Sequence, residues 1–524
     1  MDIEHQNMDI GFEYFANRCM MPKNDNREDM IMQTANSACI GVAHQSENAF
    51  DKKTILEYWC KYFPDLEESQ LCEIMEFMGT VDFSNLMNQY QRYDECQDNT
   101  LEGCIDFDYS KFIMQQKDWF EQQQMFTGYI LPIVNYQYKT QIENYENELI
   151  YDRELFWRDI IDNLNLKVYQ VLYKSIIFEI GYIKKKNQLK GETPEARMEY
   201  FLSTYMTNHE NIISFYKEYY AVTKLAASIV KSELKYVTDI LDNIKKEKQE
   251  IERCFDMGDI AKGIKTIRLG QGDIHQDGKS VVIIEFVNGT KVIYKPHRME
   301  IDLSFEKLMG WLKDNILGLH DYKAPKIITK SGYGFSEYIE YKSCSMVSEV
   351  KSFYERIGEI LAVLYSLNSS DFHYENIIAH GEYPVLVDLE TLIHPSLEDS
   401  SNAEERSALK RAEKKYNNSV ATIGMLPTYM KGKLEVGGLG AAEVQNSTFK
   451  TEFVEDVKRD SIHVVRKYFK IQPEQNNPVL GGRAVESIQY TQEIKRGFQR
   501  VYEWILEKKD SYIQLELFTV QYLN

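Results

Sequence analysis

The sequence predicts an α+β protein in which a large helical N-terminal region precedes a two-lobed core. Three observations lead to this prediction. Apolar residues recur at helical spacing up to about residue 255, and β-rich runs separated by turn residues follow from about residue 260. An amphipathic helix and two short strands come after these runs. The expected boundaries are 1–255 for the helical region, 256–345 for the smaller lobe and 346–524 for the larger lobe.

The composition is that of an ordinary globular protein, and it excludes some classes. Of the 524 residues 43% are hydrophobic, and the formal charge of −20 argues against binding to nucleic-acid backbones. No stretch approaches the roughly 18 apolar residues of a membrane span, and residues 1–7 lack the features of a signal peptide. We therefore expect a cytoplasmic protein that binds no nucleic acid and does not span a membrane.

The cysteines do not indicate a metal site or a disulfide framework. They lie at positions 19, 39, 60, 72, 96, 104, 254 and 344, and no two of them form a Cys-x-x-Cys pair. Buried free thiols in a reducing compartment are the expectation.

Residues 1–255 carry apolar stripes and no recognisable chemistry. One stripe consists of Leu225, Ile229, Leu234, Val237, Ile240 and Leu241. Stripes of this kind usually pack a core. Core packing is therefore the expected role, and peptide binding or capping of the core is the functional alternative.

The region after residue 260 has the element order of a kinase core. Strands are predicted over 264–269, 279–286, 291–294, 327–330 and 335–340, with a hairpin turn at Asn288-Gly289. A helix with an apolar stripe from Val350 to Leu367 follows, then two short strands over 377–379 and 385–387. The polar segment 396–418 predicts an activation-like surface loop.

The strongest chemical signal is an ordered set of acidic and amide residues in the larger lobe. Asp371 and Asn376 lie five positions apart, with His373 between them, and Asp388 and Glu390 follow across the predicted hairpin. Phosphoryl transfer requires a carboxylate that orients the attacking hydroxyl and oxygen ligands for Mg²⁺. This order of residues therefore predicts phosphoryl transfer, and a polar loop capped by Asp and Asn is the structural alternative.

Lys295 on the third predicted strand is the candidate for contact with ATP phosphates. Alternation places it on the same face as Ile293, which favours an inward orientation. A lysine at this place in a small lobe pairs with phosphates in kinases. An exposed strand lysine is the alternative.

The loop between the first two strands is a candidate phosphate-binding loop. Gly270, Gly272 and Gly278 would let backbone N–H groups approach phosphate oxygens. An ordinary hairpin turn is the alternative. Asp273 and His275 are unusual in such a loop, because a carboxylate repels phosphate unless it has a separate task.

Four blocks, taken together, resemble the dehydratase domain of class II lanthipeptide synthetases, the LanM family. The blocks are Gly272–Ser280, Tyr294–Pro296, Asp371–Asn376 and Val387–Pro395. The resemblance extends from about residue 255 to the end and implies a lipid-kinase-like core. It also implies action on Ser and Thr of a ribosomally made precursor peptide held through its leader. The family first phosphorylates these residues and then eliminates the phosphate.

The resemblance implies ATP and Mg²⁺ as cofactors and gives each candidate residue a role. Those roles are ATP contact for Lys295, transfer for Asp371 and His373, Mg²⁺ binding for Asn376 and Asp388 with Glu390 close by, and elimination for Asp273 and His275.

Two departures from the family leave the second half of the reaction open. No cysteine follows Cys344, so we expect no zinc-dependent cyclase domain, and Gln521 stands where the family has the Arg that expels phosphate. Three hypotheses follow: a peptide kinase that hands its product to a separate lyase or cyclase, a full dehydratase whose elimination groups lie elsewhere, and an inactive peptide-binding scaffold.

Overall fold

The computed structural model describes residues 126–257, 263–274, 278–393, 408–430, 434–440 and 442–513. These residues form two compact units. The helical unit consists of residues 126–147, 157–239 and 454–465, and the core unit consists of the remaining described residues. Helices and strands are both abundant, so the α+β class is confirmed.

Within residues 126–257, five helices precede the first strand of the sheet: α1 (Thr127–Gln141), α2 (Arg153–Lys185), α3 (Pro194–Tyr205), α4 (His209–Glu218) and α5 (Tyr220–Cys254). The helical prediction is confirmed for this stretch, and residues 1–125 lie outside the described residues. Local signals fix two helix starts: the Thr193 hydroxyl accepts from the Ala196 N–H, and the Asn208 amide oxygen accepts from the Asn211 N–H.

The helical unit also contains the tip of a later hairpin, anchored by Asp460. The Asp460 side chain is fully buried, and it accepts a hydrogen bond from Arg197 and pairs with Lys184 at 3.2 Å. Its backbone N–H donates to the Pro194 carbonyl at 3.1 Å. Burial raises the pKa of Asp460, but the hydrogen bonds from Arg197 and Lys184 outweigh it, so the pKa lies below its usual range.

The core unit begins with a five-stranded antiparallel sheet in the order β1-β2-β3-β5-β4. The strands are β1 (Ile264–Ile274), β2 (Ser280–Phe286), β3 (Lys291–Lys295), β4 (Ile327–Lys330) and β5 (Tyr333–Glu337), and helix α6 (Glu300–Asn315) follows β3. Burial alternates along β2, because successive side chains point to opposite faces of the sheet. Gly289 has φ +84° in the turn after β2, where the Asn-Gly pair predicts it.

The larger part of the core unit is built on α7 (Val347–Ser366) and α9 (Thr491–Glu507). These helices approach so closely that a Cβ on Gly358 would lie 2.0 Å from the Ile494 carbonyl oxygen. A Cβ on Gly497 would lie 2.0 Å from the Glu355 carbonyl oxygen. Only glycine at these two positions permits the contact between the two helices.

A buried ion cluster links the same two helices. Arg500 on α9 donates to Glu359 at 2.5 Å and to Glu355 at 2.6 Å. His320 Nδ1 lies 2.9 Å from the Glu359 carboxylate. The potential ligand atoms of His320, Glu355 and Glu359 lie within 4.8 Å of one another. In the part of the chain that the structure describes, this is the one cluster of three or more His, Cys, Asp or Glu residues close enough to share a metal ion. Arg500 pairs with both carboxylates, and Arg496 also donates to Glu355 at 3.2 Å, so both acids are paired with cations of the protein itself.

Short elements complete the core unit. They are β6 (Ile377–His380), β7 (Tyr383–Leu386), α8 (Ala408–Asn417), β8 (Tyr429–Met430), β9 (Leu434–Glu435), β10 (Gln445–Asn446), β11 (Thr451–Glu455), β12 (His463–Lys467), β13 (Lys470–Ile471), β14 (Val479–Leu480), β15 (Arg483–Ala484) and α10 (Lys509–Ile513). Within the predicted loop 396–418, residues 408–417 are helical, since this part is rich in Ala, Lys and Arg. Across the described ranges no helix has the length and apolar character needed to cross a membrane.

Candidate functional site

The loop of residues 371–376 is fixed by one buried anchor. Phe372 is fully buried, and its N–H donates to the Ile423 carbonyl at 2.8 Å. Asp371, immediately before it, is exposed and has φ +66°, a left-handed conformation that costs free energy in most residues. The anchor therefore presents the Asp371 carboxylate outward in a conformation that the surrounding structure maintains.

Asp371, His373 and Asn376 lie within short distances of one another on this loop. The Asn376 amide donates to the Asp371 carbonyl at 2.9 Å. The His373 Nδ1 accepts from the Glu375 N–H at 3.3 Å, and its Nε2 lies 3.5 Å from the Asn376 amide nitrogen. That Nε2 lies 3.8 Å from the Asp371 carboxylate. The three predicted residues Asp371, His373 and Asn376 thus lie close together in the structure.

The β6–β7 hairpin brings Asp388 to the same place. The Val387 N–H donates to the Asn376 carbonyl at 3.1 Å, which sets the residue before Asp388 opposite Asn376. The Asp388 Oδ1 accepts from the Glu390 N–H at 3.1 Å, and this turn fixes its side chain. The amide oxygen of Asn376 and the carboxylate of Asp388 are hard oxygen donors of the kind that Mg²⁺ prefers, so they fit a magnesium ion.

Lys295 reaches this hairpin from the sheet. It is 5% exposed at the end of β3, and its ammonium donates to the Val387 carbonyl at 2.7 Å. Lys295 is therefore buried rather than exposed, and its charge lies next to Asp388, 93 positions later in the chain. An ammonium group beside the proposed metal ligands is suited to a polyanionic phosphate.

Two further residues belong to this site and were not predicted from the sequence. Asp302, in the first turn of α6, is 9% exposed. Burial raises the pKa of its carboxyl group, nearby Lys295 and His297 lower it, and Asp388 raises it, with a net pKa above the ordinary range. An acidic residue in a helix that directly follows the strand of Lys295 is the sequence signal that could have indicated Asp302.

His297 forms an ion pair with Glu390. Its Nε2 lies 2.9 Å from the Glu390 carboxylate, and its Nδ1 lies 2.8 Å from the Arg298 carbonyl. Both partners are acceptors, so the two contacts together require a protonated ring. Burial lowers the pKa of His297, but the bonds to Glu390 and Arg298 outweigh it and raise the pKa. Glu390 is thus paired with a cation of the protein itself.

The glycine loop has the backbone conformation that requires glycine. Gly270, Gly272 and Gly278 have φ of +75°, +83° and +79°. One irregularity in the pairing of β1 with β2 lies between Arg268 and Gln271, where the Gly270 N–H donates to the Ser280 hydroxyl at 2.9 Å. Asp273 lies on β1, and His275 lies outside the described residues. The role of this pair stays a prediction.

Two comparisons with known proteins bear on the identity of the chain. A family model described as "Domain of unknown function (DUF4135)" matches residues 219–521. The lacticin 481/lactococcin biosynthesis protein LcnDR2 of Lactococcus lactis subsp. lactis is 28% identical over 370 residues, which cover 67% of this chain and 38% of that protein. The chain thus spans well under half of this relative. Together these findings confirm the resemblance that the four sequence blocks indicate.

Proposed function

The chain belongs to the DUF4135 family, and on that premise we propose that it transfers a phosphoryl group from ATP to Ser and Thr hydroxyls of a precursor peptide. The observation that carries the proposal is the meeting of Lys295 with the Asp388 hairpin beside Asp371 and Asn376. Residues of these types at one place meet the needs of phosphoryl transfer.

A lipid-kinase-like, two-lobed core is part of this proposal. Its support is the five-stranded antiparallel sheet with a helix after the third strand, followed by the buried helix α7 and the β6–β7 hairpin. The order of these elements matches the order in which a kinase places its lysine, its catalytic loop and its metal-binding acid.

The side chains divide the reaction among themselves. Asp371 accepts the proton of the attacking Ser or Thr hydroxyl. The hydroxyl oxygen forms the new bond to the γ-phosphorus, while the bond between that phosphorus and ADP breaks. Asn376 and Asp388 would hold Mg²⁺, and Lys295 would neutralise phosphate charge. His373, with its Nε2 facing Asp371, holds the carboxylate or passes on the proton. When bound, Mg²⁺ supplies further compensation of the negative charge.

The proposed substrate is a ribosomally made lanthipeptide precursor. The support is the resemblance to the LanM dehydratase region and the relative whose name records biosynthesis of lacticin 481 and lactococcin. A serine or threonine hydroxyl is the nucleophile that a carboxylate such as Asp371 activates.

A second candidate function is the complete dehydration, in which phosphate is eliminated after transfer. The observation that favours it is the pair of Asp273 and His275 beside the glycine loop, because these groups match the family's elimination pair. Gln521 in the place of the phosphate-expelling Arg favours the kinase reaction alone. A site without that Arg loses about 3–4 kcal/mol of charge stabilisation.

Mass spectrometry separates these functions. The purified chain is incubated with ATP, Mg²⁺ and a lanthipeptide precursor from the same gene neighbourhood, with Asp388→Ala as the matched control. We expect a peptide about 80 Da heavier per modified residue, since phosphate is added. A peptide about 18 Da lighter, the loss of water, would establish the full dehydratase instead. An unchanged peptide with no ATP turnover would refute both.

A further inference from the structure

A glycine-rich segment, residues 436–440, lies directly behind the loop of residues 371–376. Gly437 forms a β-bridge with His373. The Gly438 N–H donates to the Gly424 carbonyl, and the Leu439 N–H donates to the Met425 carbonyl, each at 2.8 Å. The segment therefore joins the backbone of the catalytic loop to the residues that anchor Phe372.

The contact leaves no room for side chains. A Cβ on Gly438 would lie 2.4 Å from the Phe372 carbonyl oxygen, and one on Gly437 would lie 2.0 Å from the Leu426 carbonyl oxygen. Because backbone meets backbone here, a displacement of the glycine segment is passed directly to the loop.

The glycine segment is held in turn by one buried amide. The Asn476 side chain, with 0% exposure, donates its two N–H groups to the Gly438 and Gly440 carbonyls, each at 2.9 Å. In the reverse orientation its oxygen would face two carbonyl oxygens, so the repulsion fixes the amide as described. The adjacent Gln475 carbonyl accepts from the Ala379 N–H on β6 at 2.8 Å.

We propose that Asn476 is a positioning residue for the catalytic loop, acting on Asp371 and His373 through the glycine segment. It touches neither nucleotide nor hydroxyl. It holds Gly438 against the Phe372 carbonyl, and this contact keeps Asp371 in its left-handed conformation. Its part in the reaction rests on the phosphoryl transfer proposed above, whereas its effect on the loop does not.

Asn477 offers a matched control in the next position. It is also buried, with 4% exposure, and its amide donates to the Gly440 carbonyl at 2.8 Å, but it has no bond to Gly438. Asn477→Ala and Asn476→Ala therefore each remove one buried amide that bonds to the glycine segment. Only Asn476→Ala releases Gly438.

The first measurement is hydrogen–deuterium exchange of the full chain at residues 371–377, without substrate. Asn476→Ala should exchange at least about tenfold faster there than wild type, and Asn477→Ala should exchange like wild type. Equal effects of the two variants would overturn the proposal. If Asn476→Ala does not fold, Asn476→Ser, which keeps one donor, is measured instead. Its exchange at residues 371–377 should be faster than that of wild type and of Asn477→Ala.

The second measurement is steady-state peptide phosphorylation by the same variants. Asn476→Ala should lower kcat by about ten- to a hundredfold with KM for ATP nearly unchanged, because a displaced loop misplaces the base. Asn477→Ala should keep kcat within about twofold. Loss of kcat in proportion to lost stability in both variants would overturn the positioning role. A wild type without transfer but with the expected exchange pattern would instead refute the proposed function alone.

Discussion

Asp162 in the middle of α2 is a charge that the folded helical unit tolerates poorly. The residue is half-buried, and its Oδ1 has no hydrogen-bond partner among the described residues. Burial and the nearby Asp159 raise the pKa of this carboxyl group, Arg158 partly opposes them, and the net pKa is about 6. We therefore expect Asp162→Asn to stabilise the protein at neutral pH.

The size and sign of the effect follow from linkage. The pKa rises from 3.8 to about 6 on folding, and each pH unit corresponds to about 1.4 kcal/mol, which gives an upper limit of about 3 kcal/mol. Solvent at the half-buried carboxylate reduces the expected gain to about 1–2 kcal/mol. Below pH 3.8 the carboxyl group is protonated in both states, so the gain vanishes. It grows between pH 3.8 and 6 and is constant above about pH 7.

Urea unfolding of wild type and Asp162→Asn at several pH values measures this effect. The fluorescence of Trp157, which is fully buried on the same helix, reports on the helical unit. Glu199→Gln, an exposed carboxylate on α3, is the control and should change the free energy of unfolding by less than about 0.5 kcal/mol. A gain for Asp162→Asn that is equal at pH 4 and pH 8, or a loss at pH 8, would refute the reasoning.

Three further predictions concern the core unit. Asp388→Ala should abolish transfer while the unfolding temperature stays near that of wild type, because the Asp388 carboxylate is a proposed Mg²⁺ ligand; wild-type turnover at saturating Mg²⁺ would contradict this. Asp371→Asn should lower kcat by roughly two to four orders of magnitude in the peptide phosphorylation assay, since the base is lost, and near-normal turnover would exclude that role. Gly358→Ala should destabilise by about 2–3 kcal/mol in urea unfolding, because its Cβ would meet a carbonyl oxygen at 2.0 Å. Gly310→Ala, on an open helix face, should be neutral or stabilising by up to about 1 kcal/mol, and similar losses in both variants would contradict the packing argument.

Elements that depend on neighbours in the sequence could be predicted from the sequence. The β-rich run over 279–286 and the turn at Asn288-Gly289 predicted the hairpin of β2 and β3, and the structure confirms both. The apolar stripe that begins at Val350 predicted a helix, and α7 spans Val347–Ser366. The first strand was predicted too short, because β1 continues through irregular pairing to Ile274, and such irregularity depends on the partner strand.

In the candidate site, too, contacts within one loop could be predicted from the sequence, whereas contacts between distant segments could not. The spacing of Asp371, His373 and Asn376 indicated their chemistry, because residues on one short loop are neighbours in any fold. The hydrogen bond from Lys295 to the Val387 carbonyl, next to Asp388, joins residues 92 positions apart, so only the tertiary structure places them together.

The sequence by itself thus determined the class of fold, the predicted strands and the residue types suited to phosphoryl transfer. Only the tertiary structure decided that Asp302 is buried beside Lys295, that His297 pairs with Glu390 and that the Asn476 amide bonds to the Gly438 and Gly440 carbonyls. The physical reason is that burial, pKa and hydrogen bonding depend on which distant segments meet. An acid, an imidazole or an amide therefore has no fixed role until its surroundings have formed.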